Sequence, residues 1–211
     1  MKEVFAVDFD DCVIPFDAPF RAWIQTETGI TLHTDDVVPG KFHYDEAYPD
    51  CGLLKEDFAQ LIDNYITNAS ADVPPGEGTV EALEQLSEVF ELHIVTARPH
   101  QHLEVTRQSV YQHFGEHIFN GIHTAEFNGD HSTTSKVTIY KKIGAIATVD
   151  DADHNINAAI KAGMIGISLQ HPDHHHNGHT LPPTAITVSS LSEILQHLDV
   201  IKQRASFFNG K

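Results

Sequence analysis

The sequence predicts an α/β protein built on a doubly wound parallel sheet, with a mostly helical segment inserted after the first strand. Short apolar runs alternate with helical patterns along most of the chain, which is the order that a parallel sheet requires. Residues 16–73 interrupt this alternation with helical patterns and no convincing core strand. Carboxylates directly follow two of the apolar runs, as expected where strands end at a ligand-binding edge.

The predicted strands are short apolar runs of the kind that is buried on both faces of a sheet. The first run ends at Asp8, and a later one ends at Asp150. The last run is weak, and we expect it at an edge of the sheet. The predicted strands are residues 4–7, 92–95, 117–122, 145–150, 165–169 and 185–188.

Amphipathic patterns between the strands predict the flanking helices. Val80, Leu83 and Leu86 fall on one face of the first of them, following the three-to-four-residue spacing of a helix that packs on a sheet. Gly144 and Gly163 suit the residue after a helix, where the left-handed conformation is common. The predicted helices are residues 79–89, 99–113, 135–144, 153–162 and 191–201.

Prolines frame the inserted segment, with Pro15 before it and Pro74-Pro75-Gly76 after it. Its apolar residues recur at helical spacing and predict two amphipathic helices. The residues that carry this spacing are Phe16, Phe20, Trp23 and Ile24 in the first, and Leu54, Phe58, Leu61, Ile62 and Tyr65 in the second. We therefore expect a core domain formed by residues 1–15 and 74–211, and a helical cap formed by residues 16–73.

Composition excludes several classes of function. The 211 residues include 30 Asp and Glu against 13 Lys and Arg, for a formal net charge of −17, which disfavours binding to nucleic acid. The same field repels small phosphorylated ligands, so a site for them needs local cations. No apolar run approaches the ~20 residues of a membrane-spanning helix. With no signal peptide before the first strand and too few cysteines for a disulfide framework, we expect a cytoplasmic protein.

The acidic residues at the strand ends predict a metal site. Asp8 and Asp10 lie two positions apart, so on extended backbone both side chains point to the same side. Asp150 and Asp151 end another apolar run. One such pair alone could be a solvated turn rich in Asp, but two strands that deliver carboxylates to one edge favour a shared site. Oxygen anions of this kind suit a hard cation, most simply Mg²⁺.

Four features of the sequence follow one another along the chain: Asp8 with Asp10, then Thr96, then Lys136, and finally Asp150 with Asp151. In this order they resemble the four motifs of the haloacid dehalogenase superfamily of phosphohydrolases. The insertion lies where that superfamily places a helical, C1-type cap. The resemblance implies a Mg²⁺-dependent phosphatase that acts on a small phosphorylated metabolite through an aspartyl-phosphate intermediate. The alternative from another class is a protein without catalytic activity.

The resemblance also implies a role for each residue. Asp8 would be the nucleophile, and Asp10 would be the general acid and base. Thr96 would bind a phosphoryl oxygen. Mg²⁺ would be held by Asp8, by the backbone carbonyl of Asp10 and by Asp150. Asp151 would either bind the ion directly or contact one of the groups that bind it.

Three lysines compete for the remaining motif. Lys136 begins its predicted helix and therefore lies near the carboxyl edge of the sheet, whereas Lys141 and Lys142 lie roughly 7–9 Å farther along that helix. We favour Lys136.

Two residues depart from the superfamily pattern. Asp11 stands where glycine is usual, and Cys12 stands where threonine or valine is usual. Asp11 could add a third carboxylate beside the substrate, or turn outward and offer only its backbone N–H. For Cys12 we favour a buried, inert thiol over a reactive one.

A closer resemblance suggests the substrate. The 5′(3′)-deoxyribonucleotidase branch of the superfamily is resembled in two places, at Thr96-Ala97-Arg98-Pro99 and at Phe16. This resemblance implies that Phe16 stacks on the base of a nucleoside monophosphate and that Arg98 contacts the substrate. Phe16 could equally belong to the core of the cap. Asn155 could orient the acidic loop or merely cap a helix. The alternatives within the superfamily are a sugar-phosphate or phosphoglycolate phosphatase, or a phosphomutase.

A histidine-rich stretch lies at residues 171–179. Imidazoles at this density can bind Zn²⁺ or Ni²⁺, which leaves a non-catalytic, metal-binding protein as an alternative function. Without nearby cysteines, we favour a solvated loop. The histidines concerned are His171, His174, His175, His176 and His179.

Overall fold

A six-stranded, wholly parallel sheet forms the centre of the protein, in the order β3-β2-β1-β4-β5-β6. The structure is a computed structural model that describes residues 2–38, 41, 43–125, 135–170 and 180–209, with side chains through residue 204. The strands are β1 (Glu3–Val7), β2 (Phe90–Thr96), β3 (Phe119–Thr124), β4 (Ala145–Asp150), β5 (Ile165–Leu169) and β6 (Ile186–Val188).

Strand β1 lies at the middle of the sheet and is hydrogen-bonded to β2 on one side and to β4 on the other. Its side chains alternate between two apolar layers, as the period of a strand requires. Phe5 and Val7 belong to the larger core, and Ala6 belongs to the smaller one. The chain winds outward from β1 in both directions, so the crevice at the carboxyl ends of β1 and β4 is the switch point where α/β proteins bind ligands.

Helices cover both faces of the sheet. Leu83, Leu86 and Val110 pack into the larger core, whereas Ile139 and Ala159 pack into the smaller one. These helices are α4 (Thr79–Val89), α5 (Leu103–Phe114), α6 (Lys136–Ile143), α7 (Asp153–Lys161), α8 (Leu191–Ile194) and α9 (Leu198–Asn209). The predicted fold class, a doubly wound parallel sheet, is therefore confirmed.

The inserted segment contains three further helices, α1 (Asp17–Thr28), α2 (Tyr44–Ala47) and α3 (Lys55–Asn68). They share an apolar cluster of their own, in which Phe20 lies 5.0 Å from Tyr44 and 5.3 Å from Tyr65 between ring centroids. Helix α1 ends at Gly29, whose φ of 76° is left-handed. Val73 packs against both this cluster and the larger core of the sheet, which ties the insertion to the sheet.

Several boundaries differ from those predicted. Strand β3 is shifted toward the C-terminus, short α2 carried no usable pattern, and a 3-10 turn at His100–His102 precedes α5. The predicted final helix is divided into α8 and α9 by a 3-10 turn at Leu195–His197. The histidine-rich stretch 171–179 lies outside the described residues. Within the described ranges, no helix is both long enough and apolar enough to cross a bilayer.

A histidine pair joins β2 to β3 away from the switch point. His93 Nδ1 lies 3.0 Å from His123 Nε2, and His93 Nε2 lies 3.1 Å from a carboxylate oxygen of Glu91. Gly121 makes room for the pair, because a Cβ at that position would lie 2.7 Å from His93 Nδ1. Burial, assisted by His93 and Lys142, lowers the pKa of His123 below its ordinary value.

Candidate active site at the switch point

A tight turn after β1 places the first acid pair. The Phe9 carbonyl accepts hydrogen bonds from the N–H groups of Val13 and Ile14, at 2.9 and 3.1 Å. Asp11 has a φ of 56° and is the one non-glycine residue with a positive φ in the part of the chain that the structure describes. Aspartate is among the few residues that tolerate this conformation. Glycine adopts this conformation more readily than aspartate does.

Both polar groups of Asp11 through which we expected a substrate contact are engaged within the chain. Its carboxylate accepts hydrogen bonds from the backbone N–H groups of Phe16 and Asp17, at 2.8 and 3.1 Å. Its own N–H donates to the Ile14 carbonyl at 2.8 Å. Because the first N–H groups of a helix have no partner inside it, Asp11 stabilises the start of α1.

Lys136 connects the two acidic strand ends. Its ammonium group lies 2.7 Å from Asp8 Oδ1 and 2.8 Å from Asp150 Oδ2, and all three side chains are buried. Lys141 and Lys142, in the last turn of α6, are exposed. Burial raises the pKa of Asp8 well above its ordinary value, the charge of Lys136 opposes that rise, and the neighbouring carboxylates add to it. Burial alone would lower the pKa of Lys136, but Asp150 and Asp8 raise it well above its ordinary value.

The second oxygen of Asp150 is also engaged. Oδ1 accepts hydrogen bonds from the Ala152 N–H and from Asn155 Nδ2, both at 3.0 Å. Asn155 thus orients the acidic loop, one of the two roles that we considered for it. Asp150 is therefore surrounded by donors from its own loop, from α7 and from Lys136.

Asp151 is the second carboxylate suited to a cation. Ligand atoms of Asp8, Asp151 and Cys12 lie within 4.8 Å of one another, and all three residues are buried. Two carboxylates fit a hard cation such as Mg²⁺, whereas a thiol does not. Burial, and then the charges of Asp151 and Asp8, raise the pKa of the Cys12 thiol well above its ordinary value, so it stays protonated and inert. The donor set thus fits Mg²⁺ with Asp8 and Asp151 as ligands.

Arg98 holds Asp10. The guanidinium Nε lies 3.1 and 2.9 Å from the two oxygens of Asp10, and Nη2 lies 2.7 Å from Oδ1. The Arg98 backbone N–H donates to the Thr96 hydroxyl at 3.1 Å. Thr96 is fully buried, and a hydroxyl that accepts a bond still has its own proton to donate.

A cavity of about 380 Å³ lies between the insertion and the strand-end residues Asp8, Asp10, Lys136 and Asp151. Its floor carries the charged groups of the strand ends, and its roof is mostly apolar and comes from α2, α3 and the start of α1. The apolar residues of the roof are Phe16, Tyr44, Phe58, Ala59, Ile62 and Ile66, and the insertion also contributes His43, Asp45 and Lys55 to the lining. The Phe16 ring packs 5.5 Å from Phe20 and 5.3 Å from Tyr65, so Phe16 both lines the cavity and packs against the core of the insertion.

Ser70 and Thr106, both partners of Arg98, were missed in the sequence because neither lies in a recognisable pattern. The signal for Arg98 itself was the segment Thr96-Ala97-Arg98-Pro99, in which Arg98 lies two residues after the end of the strand.

Comparison with solved structures finds proteins that share this fold. A haloacid dehalogenase-like family hydrolase from Streptococcus pneumoniae aligns with a TM-score of 0.62 at 14% identity, over 93% of this chain and 98% of that one. The Bacillus subtilis protein YfnB, solved with magnesium, aligns with a TM-score of 0.61 at 15% identity, over 94% and 99%. CbbY from Rhodobacter sphaeroides, solved with phosphate, aligns with a TM-score of 0.60 at 13% identity, over 94% and 100%.

CbbY has also been solved, as a variant, with xylulose-(1,5)bisphosphate. The sequence matches no protein-family model and no curated protein. At these identities the likeness establishes the fold, which is that of haloacid dehalogenase-like hydrolases.

Proposed function

We propose that the protein is a Mg²⁺-dependent phosphatase that hydrolyses a small phosphomonoester through an aspartyl-phosphate. The observation that carries the proposal is the bridge of Lys136 between Asp8 and Asp150 at the switch point. A buried lysine between two carboxylates at a ligand-binding crevice is suited to a reaction that brings further negative charge. The fold shared with haloacid dehalogenase-like hydrolases supports the same conclusion.

Two steps complete the reaction. A carboxylate oxygen of Asp8 attacks phosphorus, the bond from phosphorus to the leaving oxygen breaks, and Asp10 gives its proton to that oxygen. Asp10 then takes a proton from water, whose oxygen attacks the phosphorus of the aspartyl-phosphate. The bond from phosphorus to the Asp8 oxygen breaks, which releases inorganic phosphate and restores both carboxyl groups.

The surrounding residues hold charge and orientation. Lys136 keeps the Asp8 carboxylate in place and offsets the charge that arrives with the phosphoryl group. Thr96 has a hydroxyl proton to offer to a phosphoryl oxygen. Asp8 and Asp151 would hold Mg²⁺, together with the Asp10 carbonyl that the family resemblance implies. When bound, the ion would neutralise phosphoryl charge.

The apolar roof favours a nucleoside monophosphate as the substrate. A flat base can stack on Phe16 among the apolar side chains of the roof. A sugar-phosphate phosphatase or phosphomutase is the second candidate, favoured by the likeness to CbbY and its bisphosphate complex.

A cytoplasmic location belongs to this proposal and is supported by two cysteines, Cys12 and Cys51, that are both free.

A phosphatase panel tests the proposal. The purified protein is assayed against nucleoside monophosphates, sugar phosphates and phosphoglycolate, with Mg²⁺ and with EDTA. We expect phosphate release that requires Mg²⁺ and is absent in Asp8→Asn, the matched variant that keeps side-chain size. Undiminished release in EDTA would contradict the role of the metal. No release from any phosphomonoester, together with Zn²⁺ binding by calorimetry, would favour the non-catalytic alternative.

A further inference from the structure

The guanidinium of Arg98 is paired with Asp10 at the cavity, which both residues line. Nε and Nη2 together contact both oxygens of the Asp10 carboxylate, at distances of 2.7 to 3.1 Å. A planar pair of this kind fixes the rotation of the carboxylate as well as its position. We expected Arg98 to contact the substrate, and the structure shows that Nε and Nη2 already have Asp10 as a partner within the chain.

The opposite side of the guanidinium is anchored too. Nη1 donates to Ser70 Oγ at 3.2 Å and to Thr106 Oγ1 at 3.4 Å. The Arg98 side chain is 1% exposed, whereas Asp10 is 25% exposed. Arg98 is therefore held firmly in place, and Asp10 is the more exposed of these two residues that line the cavity.

Aromatic rings and chain topology complete the support. The guanidinium carbon lies 4.7 Å from the centre of the Phe9 ring and 5.9 Å from that of Phe16, close enough for cation–π attraction. Ser70 lies at the end of the insertion, and Phe16 lies at its start. One side chain thus joins the catalytic turn to both junctions of the insertion.

We propose that Arg98 is the positioning residue of Asp10, aiming its carboxyl group at the leaving oxygen, and that it does not bind the phosphoryl group. This inference rests on the proposed function, because it assigns Arg98 to the acid of that reaction. It differs from the substrate contact predicted from the sequence in a way that kinetics can resolve.

The distinction lies in the leaving group. An alkyl alcohol leaves slowly unless a proton reaches its oxygen, whereas p-nitrophenolate leaves readily without one. The ratio kcat/KM covers the steps up to formation of the aspartyl-phosphate, which is where Asp10 acts as an acid. Misplacing Asp10 therefore lowers kcat/KM for an alkyl phosphate far more than for p-nitrophenyl phosphate. Loss of a phosphate-binding cation lowers both alike.

The experiment measures kcat/KM of Arg98→Met for the best alkyl phosphomonoester of the panel and for p-nitrophenyl phosphate. We expect a loss of about 10²-fold or more for the alkyl substrate and a much smaller loss for the aryl one, the same selectivity as in Asp10→Asn. Arg98→Lys should recover part of the alkyl activity. The matched control is Arg107→Met, because Arg107 is an exposed arginine paired with Glu104 on α5, and it should behave as wild type.

Comparing the two substrates within one protein sample cancels any loss of folded enzyme. Ser70→Ala, which keeps the Asp10 contacts and removes one anchor, should give a weaker loss with the same preference for the aryl substrate. Equal losses on both substrates in Arg98→Met would overturn the inference and restore Arg98 as a phosphate ligand. Failure of the proposed function would look different, because wild type would then hydrolyse neither substrate.

Discussion

Lys136 Nζ lies 2.7 Å from Asp8 Oδ1, and the two side chains are 6% and 8% exposed. A charge pair this deeply buried is costly to dismantle, since removal of one partner leaves the other without compensation. Here the loss would expose Asp8 to Asp150 as well, because both carboxylates share the same ammonium group.

The first prediction follows from that shared ammonium group. Lys136→Met should destabilise the protein by about 3–5 kcal/mol, the usual cost of an unpaired buried charge, and should nearly abolish turnover. Urea unfolding in EDTA measures the stability without compensation by a cation. Lys141→Met, which removes an exposed lysine of the same helix, should leave both properties close to wild type. A Lys136→Met protein as stable as the Lys141→Met control would contradict the charge bridge.

The second prediction concerns the ligands of the metal. Asp151→Asn should weaken Mg²⁺ binding more than Asp150→Asn does, because Asp151 and Asp8 offer ligand atoms within 4.8 Å of each other, whereas Asp150 Oδ2 is paired with Lys136. Calorimetric titration with Mg²⁺ compares the two variants directly. Asp199→Asn, in an exposed position, is the control for the change in net charge. If Asp150→Asn had the larger effect, Asp150 would have to exchange Lys136 for the ion.

The third prediction tests the apolar roof. Phe16→Ala should raise KM for a nucleoside monophosphate by an amount that corresponds to about 1–3 kcal/mol of base stacking. It should barely change the kinetics of a small aliphatic phosphate. Phe16→Leu keeps the packing against Phe20 and Tyr65 but removes the flat ring, so it separates stacking from packing. Equal damage to both substrates in both variants would assign Phe16 to the core of the insertion alone.

The fourth prediction uses the histidine pair. A histidine with a lowered folded-state pKa binds fewer protons folded than unfolded, so His123 contributes stability that is complete above the unfolded pKa of about 6.5. That contribution is lost as the pH falls from there through the folded-state pKa. Urea unfolding between about pH 8 and pH 5 should therefore show a smaller loss of stability in His123→Gln than in wild type. Identical loss in the two proteins would show that His123 is not the responsible group.

The sheet was largely predictable because its information is local. Apolar runs that stop at polar residues mark β1, β2 and β4, and parallel strands bring such ends to the same edge. Helix ends were equally local at Gly144, which adopts a φ of 71°. Boundaries failed where no local signal existed, as at the division between α8 and α9.

The contacts of the site were less predictable than its members. Asp10 and Arg98 were both identified, but their pairing depends on how the turn after β1 meets the end of β2, which no spacing encodes. Likewise, the sequence left open whether the Asp11 carboxylate lies beside a substrate or turns outward, and the structure shows that it accepts hydrogen bonds from the start of α1. A left-handed conformation is tolerated by few residues besides glycine, and aspartate is one of them, but the direction of the Asp11 side chain could not be read from the sequence.

The central position of β1 has a consequence for biosynthesis. Phe5, Ala6 and Val7 are completely buried, yet β1 pairs only with β2 and β4, which follow it much later in the chain. In a growing polypeptide, one edge of β1 therefore stays unpaired until β2 has been made, and the other edge stays unpaired until β4 has been made. Premature termination before β4 should therefore yield fragments that chaperones retain or that aggregate, because the apolar side chains of β1 and its second edge are left uncovered.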